Sequence, residues 1–455
     1  MRRRRTHAHL AGTAVLFLLA TVIPSTTAPV VHSEGGALLA WKASLGDPTR
    51  LGSTLYVDTC CPVQLDSGRA GLFPVPRNVR CQQSRPIPRA LGTRSLRWSR
   101  HPRHRGTPAA RRSEPPWKQP PQYHPASIAQ LRSLQTVDLS SNTFDSFIPP
   151  QLGDMHNLSV LQLYNNSLVG DIPHQLCRLL HMQVLDLSSN RLTWELPECW
   201  CNFQSLLYMD LSNNRLTGKL PSSWWNLGYI EFLDLSNNSF YGKIPTAVRN
   251  HRCYLRSLYL ARNDFVGAFP SALRSCNLLE ILDIGNNGFY GVVPPWIKTR
   301  VPLLRILRLR SNNFTEEIPV GLSRLSQLQL LDMANNSLTG SIPTAFGSFT
   351  SMKHPQNMSG REPLDKYYDR INIIWKGHEQ IFQRGVRLLA GIDLSGNLLC
   401  RCIPQEITDL QGLRFLNLSR NHLTCNIPED IGSLTFLESL DVSSNELTGA
   451  IPPMT

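Results

Sequence analysis

The side chains with the clearest capacity for recognition are Arg308 and Arg310, two residues apart, with Tyr164, Tyr259 and Arg262. Arginine and aromatic side chains are the usual anchors of an interface. The carboxylates offer less. Asp138, Asp186, Asp210, Asp234, Asp283, Asp332, Asp393 and Asp441 recur at a single slot, so no pair stands out for acid–base work. Arg308 falls between Asp283 and Asp332 and has a second possible task, relief of their repulsion. Cys199-x-Cys201 and Cys400-x-Cys402 lack the second pair or the histidine at zinc spacing. There is no glycine-rich phosphate loop, kinase catalytic-loop pattern or Gly-x-Ser-x-Gly elbow. The expectation is binding without a metal or cofactor, and no enzyme.

These residues are positioned by a repeat. Asn142, Asn166, Asn190, Asn214, Asn238, Asn263, Asn287, Asn312, Asn336, Asn397, Asn421 and Asn445 follow one another at 24 or 25 residues, with one step of 61. Around each stands Leu-x-x-Leu-x-Leu-x-x-Asn, as in Met209-Asp-Leu-Ser-Asn-Asn-Arg-Leu-Thr-Gly-Lys-Leu-Pro221. Alternation of period two marks a short strand with one buried face. One coil cannot bury its leucines alone, but stacked coils share a core, with parallel strands about 4.8 Å apart. The chain turns sharply after each strand and leaves backbone polar groups inside. An asparagine side chain has the donors and the acceptor to satisfy them. The predicted fold is α/β, a leucine-rich-repeat solenoid. It is a curved right-handed superhelix with a parallel concave sheet and short 3-10 or loop segments on the convex side. In Leu-x-Leu the middle residue points onto the sheet, where Tyr259, Arg308 and the aspartates then lie.

Charge is unevenly spread. The formal +13 divides into +3 over residues 1–48, +11 over 49–124 and −1 over 125–455. The near-neutral repeats argue against a nucleic-acid partner. Arg2–Arg5, the apolar stretch Ala11–Ile23 and small residues Thr26 and Ala28 read as a signal peptide over 1–28. Export is consistent with eleven cysteines. It is also consistent with glycosylation sequons at Asn157, Asn165, Asn237, Asn313, Asn335, Asn357 and Asn417. Residues 49–124 hold thirteen Arg and eleven Pro without a leucine period. They read either as a basic tail for polyanions or as coding sequence out of frame, and as disordered in both cases. Stacking allows disulfides between Cys177 and Cys201, with Cys199 as competitor, and between Cys402 and Cys425. Cys253 and Cys276 read as buried thiols.

The form Leu-x-x-Asn-x-Leu-x-Gly-x-Ile-Pro resembles the plant-specific class of leucine-rich repeat. That class is found in receptor-like proteins, receptor-like kinases and polygalacturonase-inhibiting proteins. The resemblance covers residues 125–455, as repeats 1–9 over 125–343, an insert over 344–386 and repeats 10–12 over 387–455 without a C-terminal cap. Residues 29–48, with Glu34-Gly-Gly-Ala-Leu-Leu-Ala-Trp41, resemble the helix of the family's N-terminal cap. The insert resembles the island that receptor-like proteins carry a few repeats before the C-terminus. In it Ile371, Ile373 and Trp375 alternate as a strand, Lys376–Glu379 make a turn and Ile381-Phe382 return. Tyr367, Tyr368, Trp375, Lys376 and His378 are candidate ligand contacts there, or else pack the insert onto the array. The resemblance implies an ectodomain at the outer face of the plasma membrane or in the apoplast. It implies an extracellular peptide or protein ligand and a co-receptor kinase as partner. Apart from the resemblance, no segment after the leader is long and apolar enough to cross a bilayer, so no anchor is expected in this chain once the leader is cleaved. The resemblance also implies a carboxyl-end site of the paired-arginine type at Arg308 and Arg310, one pleat further along than in related kinases. A secreted inhibitor of microbial polygalacturonases and the ectodomain of a receptor kinase are the alternatives.

Overall fold

The computed structural model describes residues 133–227, 229–246, 252–354, 370–375, 378–383 and 390–453. The expected leader, cap helix and basic segment lie outside the described residues, as do Asn357, Tyr367, Tyr368 and Lys376. Twelve three-residue strands, from Thr136–Asp138 to Ser439–Asp441, form one parallel sheet in sequence order. Paired residues are 24 or 25 apart, as in Thr136↔Val160 and Ile281↔Ile306. Across the insert Leu331 pairs with Ile392 and Asp332 with Asp393, so the sheet continues without a gap. The alternation places Leu161, Leu163, Leu185 and Leu187 inside, each no more than 1% exposed. Each such side chain contributes roughly 1.5–3 kcal/mol by leaving water.

The Asn-x-Leu position leads into a second strand of two to five residues. Six of these, from Thr217–Gly218 to Ser337–Thr339, form a second parallel sheet. Phe240, Phe265, Phe289 and Phe314 fill that position in four consecutive coils and are fully buried. Adjacent rings of the first three lie 6.2 and 6.4 Å apart. The Ile-Pro pair ends each strand, because proline lacks an N–H and fixes φ. Pro149, Pro173, Pro270 and Pro319 have φ between −60 and −65° and lead into five-residue 3-10 helices such as His174–Arg178. In repeat nine Phe346, Phe349 and Met352 are fully buried, so residues 344–353 complete a coil. This corrects the expected start of the insert at 344. In the insert, Arg370–Trp375 and His378–Gln383 form an antiparallel hairpin with Trp375 opposite His378. The return strand begins at His378, inside the expected four-residue turn, because a two-residue connection suffices to reverse the chain.

The second sheet is staggered relative to the first. Thr217 pairs with Ser239, 22 residues on rather than 24, and Val169 pairs with Arg191 at the same spacing in a separate two-stranded sheet. This stagger decides the disulfides. Cys177 bonds Cys199, 22 residues on, with Cα atoms 5.9 Å apart; the expected partner Cys201 is not used. Equal slots face each other in the long sheet, but on this side of the coil the facing residue comes two earlier. Cys402 bonds Cys425 and Cys253 bonds Cys276, both 23 residues apart. The reading of Cys253 and Cys276 as thiols is therefore corrected. Among the described residues Cys400 is a free thiol.

Candidate ligand-binding face

Three local devices hold the outward face of the long sheet in place. The first is the asparagine ladder. Nδ2 of Asn190 donates to the carbonyls of Leu187 and Ser188 in its own coil and of Leu163 in the preceding one, at 3.0–3.1 Å. Its Oδ1 accepts the N–H of Leu168 at 3.0 Å. The pattern recurs from Asn166 to Asn445. The second is a left-handed residue before each asparagine. Ser141, Asn165, Arg262, Ser311, Arg420 and their equivalents have φ of 52–57°, and Gly396, before Asn397, has 62°. Asparagine tolerates that region best among residues with a side chain, and Arg262 and Arg420 occupy it at a cost.

The third device was missed in the sequence. Asp393 Oδ1 accepts both the N–H and the hydroxyl of Ser395, at 3.0 and 2.6 Å. Asp138, Asp186 and Asp441 do the same with Ser140, Ser188 and Ser443. The recurring Asp-x-Ser was the available signal. The acidic column is thus a set of turn locks, and Asn417 performs the task uncharged, accepting from Ser419 at 3.2 and 2.8 Å.

Arg308 and Arg310 join this column into a buried network over four coils. Arg308 Nη1 lies 2.8 Å from Asp283 Oδ2, and its Nε lies 3.1 Å from Asp332 Oδ2. Arg310 Nη1 lies 2.9 Å from the same Asp332 oxygen and 3.8 Å from Asp393. All five side chains are at most 5% exposed. Burial works against the Arg308 charge, but Asp283 and then Asp332 outweigh it and raise its pKa above the ordinary value. Charge relief therefore occupies Arg308, and its donors are directed at aspartates rather than held out to a ligand carboxylate.

Asp393 carries the opposite imbalance. Burial first, and then the Asp332 charge, push its pKa up from 3.8 to about 6 against the Ser395 hydrogen bonds and Arg310. The folded chain holds this proton more tightly than the unfolded chain does. The group's contribution to stability is therefore greatest at low pH and is lost as pH rises from about 4 through 6. Because Asn417 shows that an amide fits the slot, Asp393→Asn is expected to flatten this part of the pH profile. It should gain up to about 3 kcal/mol at pH 7.5. Melting curves from pH 4 to 8 check this; a variant that keeps the parental slope contradicts it.

Between the aspartate column and the sheet's outer margin lies an apolar stripe, also missed. Its members are the first residues of their strands, except Tyr259, which stands third, in the slot of the aspartates. Tyr259, Ile281, Ile306, Leu330 and Phe415 form a cluster separate from the main core, with Phe232 against it. Tyr208 stacks on Phe232 at 4.4 Å, and Phe232 meets Tyr259 at 5.6 Å. Gly391 holds the tenth place because the Phe415 ring occupies the space a Cβ would need. The signal was the residue before each Leu-x-Leu, which was passed over in favour of the residue within it. The margin itself carries alternating charges: Arg256 reaches Glu231 at 3.5 Å and Glu280 at 2.8 Å, and Arg305 reaches Glu280 at 3.6 Å. Towards the N-terminal coils the balance is acidic. Desolvation, and then Asp210, hold Asp234 well above the ordinary carboxylate range.

The other candidates are scattered. Tyr164 is half-buried and Arg262 exposed, while Tyr259 is buried within the stripe. Trp375 and His378 are brought together only as backbone partners in the hairpin. Of the sequons, Asn157, Asn165, Asn237, Asn313 and Asn335 are exposed and Asn417 is half-buried. Among the described residues no group of His, Cys, Asp and Glu could hold a metal ion. No helix among them is long and apolar enough to cross a membrane.

Family models described as leucine-rich repeat match residues 132–192, 205–227, 229–251, 303–325, 327–349, 412–434 and 433–451. No curated protein sequence matches the chain. Among solved structures, the complex PEPR1–AtPEP1 is 30% identical with a TM-score of 0.56, over 72% of this chain and 44% of that one. A TDR receptor is 29% identical with a TM-score of 0.52, over 72% and 58%. The ectodomain of the Arabidopsis receptor kinase HAESA, in complex with an extended IDA peptide hormone, is 28% identical with a TM-score of 0.51, over 72% and 56%. The chain thus spans 44 to 58% of the length of these ectodomains. The twelve stacked coils and these matches make the chain a leucine-rich-repeat protein of the plant receptor-ectodomain type.

Proposed function

We propose that this array is the recognition part of an extracellular receptor that takes a peptide on the outward face of its long sheet and signals with a partner kinase. The observation that carries the reading is the apolar stripe from Tyr208 to Phe415, set between a charged margin and the aspartate column. An extended peptide lying across the strands would place an apolar side chain against the half-buried Phe232, with Ile281, Ile306 and Leu330, at most 3% exposed, supporting the stripe from beneath. Two of the similar ectodomains, PEPR1–AtPEP1 and HAESA with IDA, are peptide complexes, which supports the same class of ligand here.

The test is a binding screen of the secreted chain against plant extracellular peptides. For a peptide that binds, Phe232→Ala and Ile306→Asn are expected to weaken affinity by about tenfold or more, as truncation of buried anchors does. Asp441→Ala should leave affinity unchanged. Melting temperatures taken alongside separate lost binding from lost fold. Equal affinities in folded variants would remove the stripe from ligand recognition.

A further inference from the structure

The second sheet also turns a face outward, and recognition on the long sheet leaves it unused. Tyr241, Val266 and Tyr290, from three consecutive coils, form its middle row and are 42–48% exposed. Alternate residues of a strand share a face. Each strand therefore flanks its middle residue with two others, as in Ser239-Tyr241-Lys243 and Asp264-Val266-Ala268, all exposed. The strand register sets Asp264 beside Tyr241 and Gly288 beside Val266. One edge of the row thus carries Arg215 and Asp264, and the other carries Glu195, Lys219 and Lys243. The lysine stems lie flat: a Cβ on Gly242 would stand 3.2 Å from Lys219 Cγ, and one on Gly267 3.2 Å from Lys243 Cγ. The middle row is left standing clear. Among the described residues Arg215, Glu195, Asp264 and Lys243 form no ion pair.

We propose that this face binds a second copy of the chain about a twofold axis running along the middle row. Such an axis lays Tyr241 and Tyr290 against their own equivalents and puts Val266 on the axis. It also exchanges the two edges, which brings Lys243 towards Asp264 of the second copy and Arg215 towards Glu195 of the second copy. An isologous contact requires a patch to complement itself in this way. Three to five short coils offer less than the about 800 Å² per partner of a stable complex, so the pair is weak and forms at high local concentration.

Cross-linking tests it. Val266→Cys places a thiol on the axis, and mild oxidation then traps the pair. N-glycans are first removed enzymatically, because Asn313 stands at one edge of this face. A disulfide-linked dimer is expected above the yield of the unsubstituted chain. Lys243→Glu in the same background should cut that yield about tenfold, and adding Asp264→Lys should restore it, since a pairwise charge interaction survives exchange of its partners. The substituted residues are exposed, and circular dichroism checks that the fold is kept. No dimer, a yield indifferent to Lys243→Glu, or a swap that restores nothing overturns the proposal.

Discussion

Asn397→Ala is expected to melt the last three coils away from the first nine. The Asn397 side chain donates to the carbonyl of Met333 at 3.0 Å, 64 residues earlier, and to Leu394 and Ser395 in its own coil at 3.0 and 3.3 Å. Its oxygen accepts the N–H of Leu338 at 3.1 Å. Alanine leaves the Leu338 N–H without this partner, at roughly 1–3 kcal/mol, and removes one bond each from the carbonyls of Met333, Leu394 and Ser395, at about 0.5–1.5 kcal/mol apiece, since these keep Asn336, Asn421 and the Asn335 N–H. A total near 3–6 kcal/mol falls on the one junction interrupted by the insert. Coil arrays behave as a sum of local stabilities and nearest-neighbour contacts, so the loss should appear as a second, earlier step in thermal unfolding. Asn142 donates only to Leu139 and Ser140 among the described residues, and Asn142→Ala should cost about 1–2 kcal/mol without a new step. A single unshifted transition for Asn397→Ala would show that the ladder does not fasten the array there.

The second large effect is at Arg308. Arg308→Ala is expected to destabilise the array by about 3–5 kcal/mol, because Asp283 loses its 2.8 Å partner and Asp332 loses one of two. The cost comes from the charges left behind more than from the bonds removed. Adding Asp283→Asn should therefore recover a substantial part of it. Arg308→Lys, a compact charge without the planar fork, should fall between. Denaturant midpoints for the three variants check the order. If Asp283→Asn worsens Arg308→Ala, the network is not held by charge balance.

The repeat was fully legible in the sequence, because period-two leucines and a recurrent asparagine state both the strand and the means of closing its turn. The ladder bonds from Asn166 to Asn445 follow from donor and acceptor counting alone. What was not legible depended on directions a slot number does not carry. Cys201 and Cys177 share a slot, but the stagger of 22 residues on the far side of the coil turns Cys199 to the bond. The aspartates looked like an exposed, repelling stripe because the Asp-x-Ser hydrogen bond was not considered. Arg308 was weighed as a ligand contact and as charge relief, and its two aspartate partners at 2.8 and 3.1 Å give the second task its geometry. The apolar stripe went unread because Phe232, Ile281 and Ile306 sit where a half-buried strand normally carries polar residues.

Native-state hydrogen exchange tests the central claim, that one unbroken stack of coils carries the recognition face across the insert. Met333 donates its N–H to Asp393, Asn335 to Ser395 and, from the other side, Gly391 to Gln329, at 2.7–2.9 Å. Leu309 and Ser311 make the equivalent bonds to Asp332 and Ala334 within the uninterrupted array. The two sets are expected to be protected to within about tenfold of each other. Exchange of Met333, Asn335 and Gly391 at the rate of open backbone, with Leu309 and Ser311 still protected, would contradict a continuous array.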